Sequence, residues 1–198
     1  MLEPRIQQHF FESADLQYQA AELLSRPVAD AAQAIVTSLT SGARLLVLGL
    51  GPAAPLAQLV VGYLNGRFER ERPGLAAVSL GLECAVLTAA GDDANPGGLA
   101  ARQLGILGQP GDLLLLLDAD GDHPALNAAV RAAQAKELTV VALTGRSGQL
   151  LRELFSEGDV LVLVPHARRA RVMETLLLIL HSLCDVIDLQ LLGEQEPA

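Results

Sequence analysis

Apolar residues recur at helical spacing at the start of the chain. Ile6, Phe10, Ala14, Leu16, Ala20 and Leu23 predict an amphipathic helix over residues 5–24. Pro27 has no amide hydrogen and reads as a break, so Val28–Leu39 is expected as a second helix ending near Gly42. Beyond Gly42 the pattern changes to short aliphatic runs. Arg44–Gly49, Leu75–Leu80, Asp112–Leu117, Leu138–Leu143 and Asp159–Val164 read as strands, because a strand covered on both faces loses polar alternation. Helices are expected between them over Pro52–Phe68, 98–107, 124–136 and 148–155, and a long apolar helix over 168–192 closes the chain. Strand–helix alternation with short connections predicts an α/β fold: a parallel sheet with helices on both faces. No repeat, low-complexity tract or linker divides the sequence. Residues 1–198 therefore read as one domain, with 1–42 a helical extension and 43–198 the α/β core.

Composition removes several function classes. The formal net charge of -9 argues against nucleic acid as a direct partner, since phosphate backbones need a basic face. Aromatics make up 3% with no Trp, so base-stacking platforms are poorly supplied. Cys84 and Cys184 match no metal or redox spacing and sit in apolar runs, where a free Cys behaves as a small hydrophobe. Met1-Leu2-Glu3-Pro4-Arg5 does not open a signal peptide. Leu113–Leu117 is too short to span a bilayer, and Glu174, His181, Asp185 and Asp188 interrupt Val172–Leu192. A soluble, cytoplasmic protein without membrane contact is expected.

Ligands of parallel α/β sheets bind beyond the strand C-termini. The loops to inspect are Gly49–Pro55, Asp118–Pro124, Thr144–Gly148 and Pro165–Arg171. Gly49-Leu50-Gly51-Pro52-Ala53-Ala54 fits a loose dinucleotide fingerprint, but the acid expected after the next strand could only be Glu83, which falls late. Small residues there serve close packing equally well, and no cofactor is expected. Asp118-Ala119-Asp120-Gly121-Asp122 after an all-leucine run is similar to the Asp-x-Asp of haloacid-dehalogenase-type phosphatases. Other strand–helix units precede it, however, no lysine follows Thr144, and the downstream acid for magnesium is missing. A calcium loop fails as well, with His123 and Ala129 where Gly and Glu would be needed. No metal is expected; the acids read as carboxylates favoured at a helix N-terminus. Pro165-His166-Ala167-Arg168-Arg169-Ala170-Arg171 is the basic cluster, open to an anion or to an interface. His181, in an apolar helix, reads as a core histidine.

Arg67-Phe68-Glu69-Arg70-Glu71-Arg72-Pro73, Ala142-Leu143-Thr144-Gly145, Ala170-Arg171-Val172 and Leu183-Cys184-Asp185-Val186-Ile187-Asp188 together carry a family likeness. The chain resembles SIS (sugar isomerase) domain proteins of the phosphoheptose isomerase group, which includes the DiaA type that associates with the DnaA initiator. The resemblance implies a flavodoxin-like three-layer sandwich with a five-stranded parallel sheet, and N-terminal helices for oligomerisation. It places the sugar-phosphate loops on Gly49, Gly51, Pro52 and Ala53 and on Asp118, Asp120, Gly121, Asp122 and His123, with Asp92 and Thr144 at further family positions.

Family hydroxyls are replaced here by carboxylates or methyls, and like charges a few ångströms apart repel by several kcal/mol at an effective dielectric of ~20. The isomerases' His and Glu fall on Leu59 and Tyr63, and their Gln and His on Met173 and His181, so His181 alone is retained. From this a non-catalytic, DiaA-like scaffold is expected: a homotetramer binding DnaA and promoting replication initiation. Its partner contacts would be Leu191 and Leu192, where the family has a Leu-Phe pair. The alternative is a phosphoheptose isomerase-like enzyme or a phosphosugar sensor of the sedoheptulose 7-phosphate class. An open cavity above Gly49–Pro52 and Asp118–His123 would favour the alternative, and a filled one the scaffold.

Overall fold

Side chains alternate across a strand, and here both sets are apolar, which dictates three layers. The computed structural model describes residues 2–81 and 96–194. Strands β1 (Leu45–Gly49), β2 (Ala77–Ser79), β3 (Leu113–Asp118), β4 (Thr139–Thr144) and β5 (Val160–Leu163) form one sheet in the order β2-β1-β3-β4-β5. Every pairing is parallel; Leu45 lies opposite Leu113, and Leu113 opposite Thr139. Leu45, Val47, Leu113, Leu115 and Leu117 point to one face, and Leu46, Leu48, Leu114 and Leu116 to the other. The first face is covered by α1 (Leu2–Thr40), α2 (Ala54–Asn65) and α5 (Arg169–Leu192). The second is covered by α3 (Pro96–Leu107), α4 (Pro124–Gln134) and a 3₁₀ segment, Arg146–Glu153. Burying each leucine fully contributes ~1.5–3 kcal/mol, which explains why an uninterrupted leucine strand sits at the centre.

The fold class read from the sequence holds, with one correction in the first layer. Residues 2–40 form a single helix that runs through Pro27. The hydrogen bond that Pro27 cannot donate would go to the Leu23 carbonyl. Leu23 is 61% exposed, so water can take the acceptor. The buried stripe Leu16, Ala20, Leu24, Ala31 and Ile35 continues across the proline and holds both halves to one core. Predicted strand ends shift by a residue or two. Arg44 and Asp112 lie just before their strands, where the Asp112 carboxylate accepts the Arg44 backbone amide at 2.9 Å and its guanidinium at 3.0 Å. The helical segment expected over 148–155 is a 3₁₀ helix that starts two residues earlier and ends at Glu153.

Two of the motifs behind the family likeness meet inside the core. Arg72 Nε donates to Asp188 Oδ1 at 2.5 Å, with both side chains 1% exposed. The same guanidinium donates to the carbonyls of Leu64 and Tyr63 at 2.8 and 3.0 Å, closing the C-terminus of α2 against α5. Cys184, one turn before Asp188, is buried, and burial pushes its thiol up to about 12. Cys84 lies outside the described residues. α5 is long and apolar enough to cross a membrane by length and composition. Here Val172, Leu176, Ile179, Leu180, Leu183 and Ile187 make it a layer of the domain core.

Candidate functional site

The strand order reverses direction between β1 and β3, and loops that diverge at such a switch point leave a crevice at the C-terminal edge. The β1 loop turns tightly. The Leu50 amide donates to the Leu117 carbonyl at 2.9 Å, and Gly51–Ala53 makes one 3₁₀ turn into α2. A Cβ on Gly49 would stand 2.4 Å from the Ala53 carbonyl oxygen, so no larger residue fits that turn. A cavity of about 390 Å³ opens beside it, lined by Gly49, Leu50, Gly51, Gln58, Ser79 and His123 among others.

The β3 loop is built from its own charges. Asp118 is 4% exposed, and its carboxylate accepts the backbone amides of Gly121 and Asp120 at 2.5 and 3.2 Å. Burial raises the Asp118 carboxyl above its ordinary value, while these two amides pull the other way. Asp120 accepts from Arg169 Nε at 2.6 Å, which ties the loop to the first turn of α5. His123 caps α4: its Nδ1 accepts the Ala125 amide at 3.1 Å. Gly121 has φ +96°, and a Cβ there would lie 2.1 Å from the Gly148 nitrogen, so this loop packs hard against the one after β4. Thr144 is fully buried, with its hydroxyl donating to the Gly145 carbonyl at 3.0 Å.

Of the residues expected from the sequence, Gly49, Gly51 and His123 line the cavity. Pro52 is exposed, and Ala53 is buried beneath the turn. Asp118 and Thr144 are held inside the loops, and Asp122 is exposed. Asp92 lies outside the described residues. Gln58 and Ser79 join the lining without having been singled out; sheet order brings β2 beside β1, and no motif marks that neighbourhood.

His181 lies elsewhere, its ring 5.7 Å from Tyr63 and 5.6 Å from Phe68, with Nε2 buried and unpartnered. Tyr63 and His181, two of the four residues onto which the resemblance puts the isomerases' metal and acid/base groups, thus meet edge to face; the other two are Leu59 and Met173. One imidazole, with a phenol, a leucine and a thioether at the other three positions, does not supply the ligands of a divalent-metal site. Leu191 and Leu192 lie ~35 Å along α5 from Arg169 at a rise of 1.5 Å per residue. Leu191 packs on the core, and Leu192 is 42% exposed.

Comparison with known proteins decides between the two functional expectations. The SIS domain family matches residues 8–145. A phosphoheptose isomerase of Methylibium petroleiphilum is 50% identical over 99% of this chain and 98% of its own length. The phosphoheptose isomerase structure from Neisseria gonorrhoeae superposes with a TM-score of 0.88 at 34% identity, covering 95% of this chain and 99% of that one. The Francisella tularensis phosphoheptose isomerase gives 0.89 at 34%, covering 95% and 98%.

These relatives overturn the expectation of a non-catalytic, DnaA-binding scaffold in replication initiation: over their full length they carry the names of enzymes. The structure explains why the inference from charge misled. Asp118 and Asp120 spend their carboxylates on backbone amides and on Arg169, neither lines the cavity, and the cavity stays open. The chain belongs to the SIS domain family, in its phosphoheptose isomerase group.

Proposed function

We propose that the protein is a phosphosugar isomerase of the phosphoheptose type, taking a ketose phosphate of the sedoheptulose 7-phosphate class into the crevice between β1 and β3. The open cavity of about 390 Å³ at the switch point carries this reading, within the ~300–1,000 Å³ of small-molecule sites. The names of the full-length relatives support the reaction class. Aldose–ketose isomerisation moves a proton between adjacent carbons and needs a positioned acid/base group. His181 is the imidazole that the resemblance leaves at an acid/base position, but its ring packs on Tyr63 and Phe68 outside the cavity lining, so that role is not assigned to it.

A homo-oligomer in the cytoplasm belongs to the same reading. The first buried residue of α1 is Leu16, while Leu2, Ile6, Phe10 and Phe11 before it are all more than half exposed. A second copy of this chain is the occupant we assign to that apolar stripe.

The test is turnover of sedoheptulose 7-phosphate, followed by NMR as loss of the ketose and appearance of the aldose phosphate. Turnover by the unmodified protein is expected, together with stabilisation by the substrate. A ligand at a hundredfold excess over its Kd adds ~2.7 kcal/mol to stability. No turnover and no rise in Tm with pentose, hexose or heptose phosphates would sink the reading.

A further inference from the structure

On the β2 side the crevice has a wall quite unlike the charged β3 loop. Ala54, Ala57 and Gln58 share the face of α2 that lines the cavity, at spacings of three and four residues. Two methyl side chains thus leave room beside one amide. In β2 the pleat puts Ala77 and Ser79 on the same face. Ala77 is buried in the core that α2 covers, and Ser79, opposite Val47 at the strand's C-terminal end, reaches the cavity. Main-chain groups around them are engaged. The Leu80 amide donates to the Val47 carbonyl at 2.7 Å, and the Gly81 carbonyl accepts from Gln103 Nε2 at 3.2 Å. The side chains of Gln58 and Ser79 have no hydrogen-bond partner among the described residues. Both are neutral. An amide offers two donors and an acceptor, and a hydroxyl both donates and accepts. That set complements a run of sugar hydroxyls, which are themselves donors and acceptors, and it holds no charge to attract an anion.

We infer that Gln58 and Ser79 determine which sugar the crevice accepts, by hydrogen-bonding the hydroxyls of a polyhydroxylated carbon chain. This deepens the phosphosugar reading and rests on it. Sheet order gives the wall its reach. β2 lies two strands from β3, ~9–10 Å away at the usual strand spacing. The cavity therefore extends sideways, from the end of β3, where His123 lines it, to Ser79 at the end of β2. A long sugar chain lying across β1 reaches both ends, and a three-carbon one does not. Selection by chain length follows from that span, with the amide and the hydroxyl as its readers.

Calorimetric titration with sedoheptulose 7-phosphate and glycerol 3-phosphate tests the inference, since the two carry the same phosphate ester on a long and a short hydroxylated chain. Gln58 is exposed, and Met keeps its length and helix preference, so Gln58→Met preserves the fold. It should weaken sedoheptulose 7-phosphate about tenfold, the loss of the bonds of one amide, and leave glycerol 3-phosphate within about twofold. Ser79→Ala should act in the same direction with a loss of about threefold. The readout is the ratio of the two affinities, because a variant that merely loosened the site would weaken both ligands alike. An unchanged ratio in either variant overturns the inference, and so does a failure of the unmodified protein to bind either ester. Turnover of sedoheptulose 7-phosphate by the unmodified protein separates this claim from the one beneath it. Turnover with an unchanged ratio removes this inference alone, and a shifted ratio without turnover removes the isomerase reading alone.

Discussion

Two loops leave adjacent strands at the crevice and treat polarity in opposite ways. After β1, Gly49-Leu50-Gly51-Pro52-Ala53 carries no side-chain donor or acceptor, yet three of its five residues line the cavity. After β3, Asp118–His123 holds four titratable side chains, and only His123 lines it. Asp118 is spent on backbone amides and Asp120 on Arg169. Polar residues near a binding edge therefore report how the loop is held at least as often as what it binds. The bare loop shapes the site, and the charged one mostly holds itself together.

Substituting glycines in the two loops gives the largest expected contrast. Gly121 needs a positive φ of +96° and leaves no room, with the Gly148 nitrogen 2.1 Å from an added Cβ. Gly51 also has a positive φ, +51°, but nothing lies within 4 Å of its Cβ position. Gly121→Ala should cost ~2–5 kcal/mol, adding overpacking to left-handed strain. Gly51→Ala should cost only the strain, ~1–2 kcal/mol. Urea midpoints for the two variants check this. Equal costs would mean that the β3 loop yields as readily as the β1 loop, and the contrast between them would collapse.

The sheet was legible because its signal is local: short aliphatic runs bounded by turn residues, with five leucines in a row at the centre, read as strands buried on both faces. All five strands fall within two residues of their expected ends for that reason. The single helix through Pro27 was not legible, since its continuity depends on where Leu23 faces and on a stripe that only the finished core defines. The site was half legible. Gly49, Gly51 and His123 lie at strand ends where topology puts ligands, whereas Gln58 and Ser79 reach the cavity through sheet order and carry no motif. The inference from acidic residues to a non-catalytic scaffold failed because sequence records charge and not its partner.

Asp118 offers a second way to sharpen the contrast, through pH. Its folded pKa lies above the ordinary 3.8 because burial disfavours the carboxylate. Between the unfolded and folded values the native state holds more protons than the unfolded one, so this group's contribution to stability is full below about 3.8 and is lost as pH rises through the folded value. Asp118→Asn cannot titrate. Its stability relative to the unmodified protein should therefore improve as pH rises across that window and stay constant above it. Denaturation midpoints of both proteins from pH 3 to pH 8 check the direction. A difference that moves the opposite way would mean that the two amide bonds outweigh burial, and that the β3 loop prefers its carboxylate charged.

The smallest effect belongs to the bond that ties the β3 loop to α5. Arg169 Nε and Asp120 Oδ1 are 2.6 Å apart, but their side chains are 69% and 30% exposed. Water competes for both partners there, and ordering two long side chains offsets much of the attraction. Arg169→Ala should leave the urea midpoint unchanged at ordinary salt and lower it slightly at low ionic strength, since added salt screens an exposed pair within a Debye length of ~10 Å at 0.1 M. A loss that persists at high salt and matches that of Gly51→Ala would show the β3 loop leaning on α5 rather than on Asp118. The loop would then be held from outside as well as by the two amide bonds to Asp118.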